Sequence, residues 1–273
     1  MGPIRFIFPA FVLAMWVICG LGIASGQWTG IHWAMLGLAH LACAIIFANF
    51  VLVFSYGYGI SMVLVNGAVM AWRPAPAVLM IGGLGLLYGL RLTWFVYARY
   101  RSRGYATTRA RGERANSGVP LPLRLFMWVS CGSLMTFVAM PAWVVADAPL
   151  GTGVLAGGAL MLAGLVLESV ADAQKQSAKA VNPATFVTAG LYARLRHPNY
   201  LGEIIFQLGL IVAAVAAATG GWALAAGVAG PLYIVILMYY AARDQDHQQS
   251  QRYDTNPAYQ SWRNQTSCLL PGL

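Results

Sequence analysis

The sequence predicts an all-α fold, a polytopic membrane helix bundle of seven or eight transmembrane helices with cytoplasmic loops. Three observations predict it. Of the 273 residues, 59% are hydrophobic and 9% charged, against about 25% charged in an ordinary soluble domain. No Asp, Glu, Lys or Arg occurs between residues 6 and 72. The apolar runs exceed the roughly 18 residues that mark a spanning helix, and the alternating segments of about 10 residues that a transmembrane barrel needs are missing.

The first run, 5–25, follows Arg5 and ends in the small residues of "GIASG". It fits a cleaved leader loosely, but its length and the apolar runs behind it favour a retained first helix. The runs 31–54 and 56–72 are parted only by "SYGYG", which leaves the count at seven or eight. Then come 77–98, 124–146 and 151–170, and a hairpin of 201–218 and 221–241 around "ATGGW". No stretch fits a soluble domain or an internal repeat. Residues 1–273 therefore read as one membrane domain with a polar, helical tail over 242–273.

Charge orients the bundle. Arg99, Arg101, Arg103, Arg109, Arg111, Arg114 and Arg124 crowd one loop region, Lys175, Lys179, Arg194 and Arg196 a second, and Arg243, Arg252 and Arg263 the tail. Two spans separate each region from the next, so all three share a side, which the positive-inside rule makes cytoplasmic. Eight spans put Arg5 there too; seven put it opposite. The net charge of +9 thus lies beside membrane segments and argues for topology and an anionic ligand, not for nucleic acid. Cys19, Cys43, Cys131 and Cys268 lack metal-ligand or CxxC spacing. They read as small buried apolar residues, and no metal is expected.

Two stretches carry more than topology. In "LESVADAQKQSAKA" (167–180), Glu168, Asp172, Lys175 and Lys179 are spaced 4, 3 and 4 apart and share one helix face. That face is either a solvated salt-bridge ladder or a polar wall aimed into a cavity at the membrane boundary, with Glu168 deepest. In "RLRHPNYLGE" (194–203), Pro198 suits a first helical turn and His197 the boundary before it. The helix start is an anion site, with Arg194 and Arg196 before it and Asn199 and Glu203 on one face behind. Arginine pairs bidentately with phosphate, so the loop arginines serve as orientation signals or as phosphate ligands; composition does not choose.

"GLYARLRHPNYLGE" (190–203), preceded by "ADAQK" (171–175), resembles the C-terminal half of membrane steroid 5-alpha-reductases and sterol reductases, and more closely a little-characterised bacterial branch of that family. The ending "NPAYQSWRNQTSCLLP" (256–271) is similar to the family's tail through Tyr259, Trp262, Thr266 and Pro271, and "LLYGLRLTWFVYARYRSRG" (86–104) to its span before a basic loop. The resemblance covers about 80–273. It implies an NADPH-dependent oxidoreductase of the inner membrane that passes hydride to the carbon–carbon double bond of a hydrophobic enone, a 3-oxo-4-ene steroid or related lipid. Residues 1–98 would sit on the substrate side and 99–273 would hold NADPH from the cytoplasm. The expected partners are that substrate and membrane lipid, and the expected state is a monomer.

Carried over by position, Glu168, Asp172, Lys175 and Lys179 would line the cofactor cavity. Arg194, Arg196 and the helix start would hold phosphates, with Tyr192 and His197 among the contacts. Asn199 and Glu203 would address the nicotinamide beside Tyr200, and Arg101 and Arg103 the 2′-phosphate. The cofactor carries the hydride chemistry; an acid must stabilise the enolate oxygen, and Tyr88 stands where the family has its catalytic tyrosine. The family's partner glutamate, one span earlier, falls at Ser55 or Tyr56, and no acid other than Glu113 lies between Arg5 and Asp147. Ser55, Tyr56 or Tyr58 would then supply the second hydroxyl, or the substrate is another enone. Isoprenylcysteine carboxyl methyltransferases, which bind S-adenosylmethionine, share "RHP.Y.G" but carry histidines in place of "ADAQK". They are the alternative, and a non-enzymatic lipid-binding protein is a third.

Overall fold

In hydrocarbon every backbone N–H and C=O must find its partner inside its own segment, so apolar runs of this length become helices. The computed structural model describes residues 4–102 and 105–270 and bears this out. The α-helices are α1 (Ile4–Ala24), α2 (Gly30–Cys43), the short α3 (Ile45–Ala48), α4 (Tyr56–Trp72), α5 (Pro76–Arg101), α6 (Ala106–Ser117), α7 (Leu121–Val144), α8 (Thr152–Val181), α9 (Pro198–Ala217), α10 (Gly221–Arg252) and α11 (Pro257–Gln265). Among the described residues there is no strand, and seven helices are long and apolar enough to cross a membrane.

α7 is the axis of the bundle. Every residue from Ser130 to Ala142 is buried, and α1, α2, α4, α9 and α10 all pack on it. A helix apolar on all sides belongs in such a position. Two of its three hydroxyls turn back on their own helix: Ser130 donates to the Phe126 carbonyl at 2.8 Å and Thr136 to the Gly132 carbonyl at 2.9 Å.

The predicted span 31–54 is not one helix. α2 stops at Cys43, and a 3₁₀ turn (Phe50–Phe54) follows α3. The broken backbone is satisfied from elsewhere: Arg124 donates to the Ile46 carbonyl at 2.6 Å, and Asn116 accepts from the Phe50 N–H at 2.7 Å. Arg124 therefore has a structural task beyond topology.

α4 has only 17 residues, about 25 Å at 1.5 Å per residue. It nevertheless runs from face to face. Ser55, at its start, shares a cavity with Arg99 and Arg109. Arg73, at its end, donates to the Ala146 carbonyl at 3.1 Å and pairs with Asp147 at the far end of α7. The helices that run from one face of the bundle to the other, α1, α2, α4, α5, α7, α8, α9 and α10, then number eight among the described residues. The start of α1 lies on the face of the tail, since Ile7 and Phe11 line one groove with Arg243 and Leu270.

α8 and α9 are antiparallel and touch backbone to backbone. A Cβ on Gly164 would stand 2.4 Å from the Phe206 nitrogen, and one on Gly202 2.6 Å from the Glu168 nitrogen. Small residues let membrane helices approach this closely. The connection between them is pinned at Gly190, whose φ of 65° suits glycine and whose missing side chain leaves room for Gln174. Gln174 accepts from the Leu191 N–H at 2.9 Å. The tail closes over this connection: the N–H groups of Arg196 and His197 donate to the Ser267 and Cys268 carbonyls at 2.9 and 3.2 Å.

Candidate functional site

The deepest polar cluster lies where α5, α8 and α9 meet. Tyr88 and Arg91 are one turn apart on α5, Glu168 and Asp172 one turn apart on α8, and Glu203 and Gln207 one turn apart on α9. The guanidinium of Arg91 forks between Glu168 Oε1, at 2.5 Å, and Asp172 Oδ2. Tyr88 donates its hydroxyl to Glu203 Oε1 at 3.1 Å, and Gln207 Nε2 donates to the same oxygen at 2.7 Å. Phe206 stacks on the Tyr88 ring at 4.6 Å and fixes its plane. Glu168, one turn from Gly164, and Glu203, next to Gly202, face the same close crossing, and Glu168 Oε2 is buried there with no hydrogen-bond partner. Two buried carboxyls this near each other resist both being charged, and Glu203 is the one in contact with the Tyr88 hydroxyl.

Outward from this cluster the chemistry becomes cationic and aromatic. Arg99 lies two turns beyond Arg91, with its guanidinium 5.3 Å from the Tyr105 ring centre and 5.4 Å from that of Phe95. Its charge acts on Asp172, Lys175 and Tyr200. Neither Arg99 nor Lys175 has a carboxylate within 4.0 Å among the described residues. The Tyr192 hydroxyl and Asn199 Oδ1 are buried with no hydrogen-bond partner, and buried polar atoms left open call for an explanation. Burial pushes the Tyr192 and Tyr105 hydroxyls above the usual phenol range, with Arg99 opposing the effect at Tyr105. Both are therefore donors. Two unpaired cations, protonated phenols and an open amide form a mouth that fits an anionic, aromatic ligand.

The other sequence-predicted residues divide. Glu168 and Asp172 do not form a ladder with Lys175 and Lys179: their partner is Arg91, and Lys179 turns to the carbonyls of Pro183, at 3.1 Å, and Thr185. Arg196 is committed to the fold. It donates to Asp246 Oδ1 at 2.6 Å, to the Arg263 carbonyl at 3.0 Å and to the Thr266 carbonyl. Arg194 is exposed, and Arg101 folds onto Tyr97 by a hydrogen bond and a cation–π contact. Arg103, like Pro271, lies outside the described residues. Tyr200 donates to Gln245 at 2.6 Å and stacks on His197. Burial holds the His197 imidazole below its usual range, and Asp246 partly offsets this.

Ser55 and Tyr56 do not join Tyr88. Ser55 lines a cavity of about 100 Å³ with Val96 and Arg99, two turns or more along α5, about 12 Å beyond Tyr88. Tyr56 sits near Tyr97 and Tyr100, and Tyr58 points to Cys131 at 3.5 Å. The acid beside Tyr88 comes from α9, not from an earlier span. Arg91 was missed by sequence reasoning, although a lone charge inside an apolar span, one turn from Tyr88, was a readable signal. His197, Asp246 and Cys268 place one potential metal-ligand atom each within 4.8 Å of one another. However, Arg196 and Arg263 already crowd the Asp246 carboxylate, which disfavours a cation.

A family model described as "Protein of unknown function (DUF1295)" matches residues 45–266. No curated protein and no solved structure matches the chain.

Proposed function

The chain belongs to the DUF1295 family, and from that premise we propose that it is an NADPH-dependent membrane reductase, steroid 5-alpha-reductase-like, acting on the carbon–carbon double bond of a hydrophobic enone. The observation that carries the reading is the Tyr88 hydroxyl held against Glu203 at 3.1 Å in a buried site. A phenol backed by a carboxyl is what a carbonyl oxygen needs when charge develops on it. The open Tyr192 hydroxyl and Asn199 amide oxygen and the unpaired Arg99 and Lys175 suit a phosphate-bearing cofactor. Lys175 and Arg99 would hold phosphate, Tyr192 would donate to it, and Asn199 would meet the carboxamide.

NADPH, when bound, supplies the hydride. The rest falls to the chain's own groups. With a proton on Glu203, the carboxyl donates to the Tyr88 oxygen and frees the phenolic proton for the substrate carbonyl. Gln207 and Phe206 keep the pair in register. Arg91 holds Glu168 and Asp172 in place behind it. In this reading the protein sits in a bacterial inner membrane with the basic mouth on the cytoplasmic side.

Purified protein in detergent tests the reading. NADPH should raise the melting temperature and S-adenosylmethionine should not; the opposite pattern would replace the reductase by a methyltransferase. NADPH absorbance should then fall on addition of testosterone or progesterone.

A further inference from the structure

On the far side of α9 from Glu203 lies a groove of about 860 Å³ between α1, α9, α10 and the tail. One wall is apolar, built by Phe11, Ile204, Val235 and Leu269. Along α9, the groove residues Leu201 and Ile204 are turned about 160° and about 100° from Glu203 at about 100° per residue, and neither Glu203 nor Tyr88 lines the groove. An occupant of this groove therefore does not reach Tyr88.

The other wall is cationic and poorly neutralised. Among the described residues that line it, Asp246 is the only carboxylate. It is already bound by Arg196 at 2.6 Å and lies 3.6 Å from Arg263. Arg243 has no carboxylate within 4.0 Å among the described residues; it leans on Tyr239, donating to its hydroxyl at 2.6 Å. One acid thus faces three guanidiniums where α10 leaves its apolar stretch. Hydrocarbon on one side and three guanidiniums with one carboxylate among them on the other define an amphiphile with an anionic head, and guanidinium matches phosphate oxygens.

We propose that this groove binds an acidic membrane phospholipid, with its phosphate at Arg243 and Arg263 and an acyl chain along Phe11, Ile204 and Val235. The site is independent of the reductase reading. It ties the tail to the start of α1 through a lipid and gives the tail's arginines a role besides orientation.

The test uses full-length, delipidated protein in detergent. Native mass spectrometry counts bound lipid, and thermal melting follows stability. Phosphatidylglycerol should be retained at one molecule per chain and raise the melting temperature. Phosphatidylcholine with the same acyl chains should be retained about tenfold less, and glycerol phosphate without chains should leave melting unchanged. Arg243→Gln should weaken phosphatidylglycerol retention about tenfold, as loss of a charge-assisted contact predicts. Ile204→Trp, which fills the apolar wall without touching an arginine, should weaken it as well. Equal retention of the two lipids, or unchanged retention in both variants, overturns the proposal. An equal melting shift with glycerol phosphate overturns it in favour of a free-anion site. NADPH titration of the same preparations reports separately on the reductase.

Discussion

The Tyr88 hydroxyl has Glu203 as its partner, and Gln207 donates to the same Glu203 oxygen. A hydroxyl placed to serve a reaction rather than a fold should be removable without loss of binding. Tyr88→Phe keeps the stacking on Phe206 and should cut turnover by about 10²–10³, the usual cost of one lost oxyanion donor, while the NADPH-induced melting shift stays. Full turnover in Tyr88→Phe would remove it from the mechanism. Glu203→Gln keeps the hydrogen-bonding shape but cannot pass a proton, so turnover should fall about 100-fold. Arg91 is different in kind. It is the guanidinium that answers Glu168 and Asp172, so Arg91→Ala leaves two carboxyls uncompensated and should cost about 3–5 kcal/mol of stability, read as a fall in melting temperature without ligand. At this scale the sequence named Tyr88, Glu168, Asp172 and Glu203 as single positions. It did not pair them, because the contacts span 77 to 115 residues and depend on how closely α8 and α9 pack.

Helices α8 and α9 owe that closeness to glycine. Any side chain at residue 164 meets the Phe206 backbone, which no rotamer change can clear. Gly164→Leu should therefore part Glu168 from Glu203 and cost about 1–3 kcal/mol, and the NADPH melting shift should shrink with it. An undiminished shift would show that the mouth does not depend on the crossing. The start of α9 makes a second prediction. His197 is buried, and its folded-state pKa lies below the ordinary 6.5. The folded protein thus binds this proton less readily than the unfolded chain does. Its contribution to stability is full above about pH 6.5 and is lost as pH falls from there toward the folded value. Melting temperature should drop as pH falls below about 6.5, and His197→Gln should flatten part of that drop. Helix limits were legible wherever a run was uniformly apolar and ended in Pro or Gly, as at Pro76, Pro198 and Gly221. The break after Cys43 was not, because it is made by Asn116 and Arg124 from a distant loop. The arginines of "RLRHPNYLGE" looked alike in sequence. Arg196 became a clamp on Asp246 and the tail only because residues 266–268 pass beside it.

Across the whole molecule the charge pattern and the packing lead to one topology. The basic connections gather at one face. The opposite face carries Arg73, paired with Asp147, a single arginine against the many on the basic face. α4, short as it is, joins the two faces, which makes the crossings eight and sets the start of α1 beside the tail. Single cysteines test this after Cys19 and Cys268 are changed to serine; Cys43 and Cys131 are buried. Ser25→Cys and Pro149→Cys should react with a membrane-impermeant maleimide from one side, and Ala115→Cys and Asn264→Cys only from the other. If α4 does not cross, one crossing is lost between Ser25 and Ala115. Ser25→Cys would then label from the same side as Asn264→Cys, while Pro149→Cys would keep its place relative to Ala115→Cys. The four sites therefore distinguish eight crossings from seven without any assumption about the reaction.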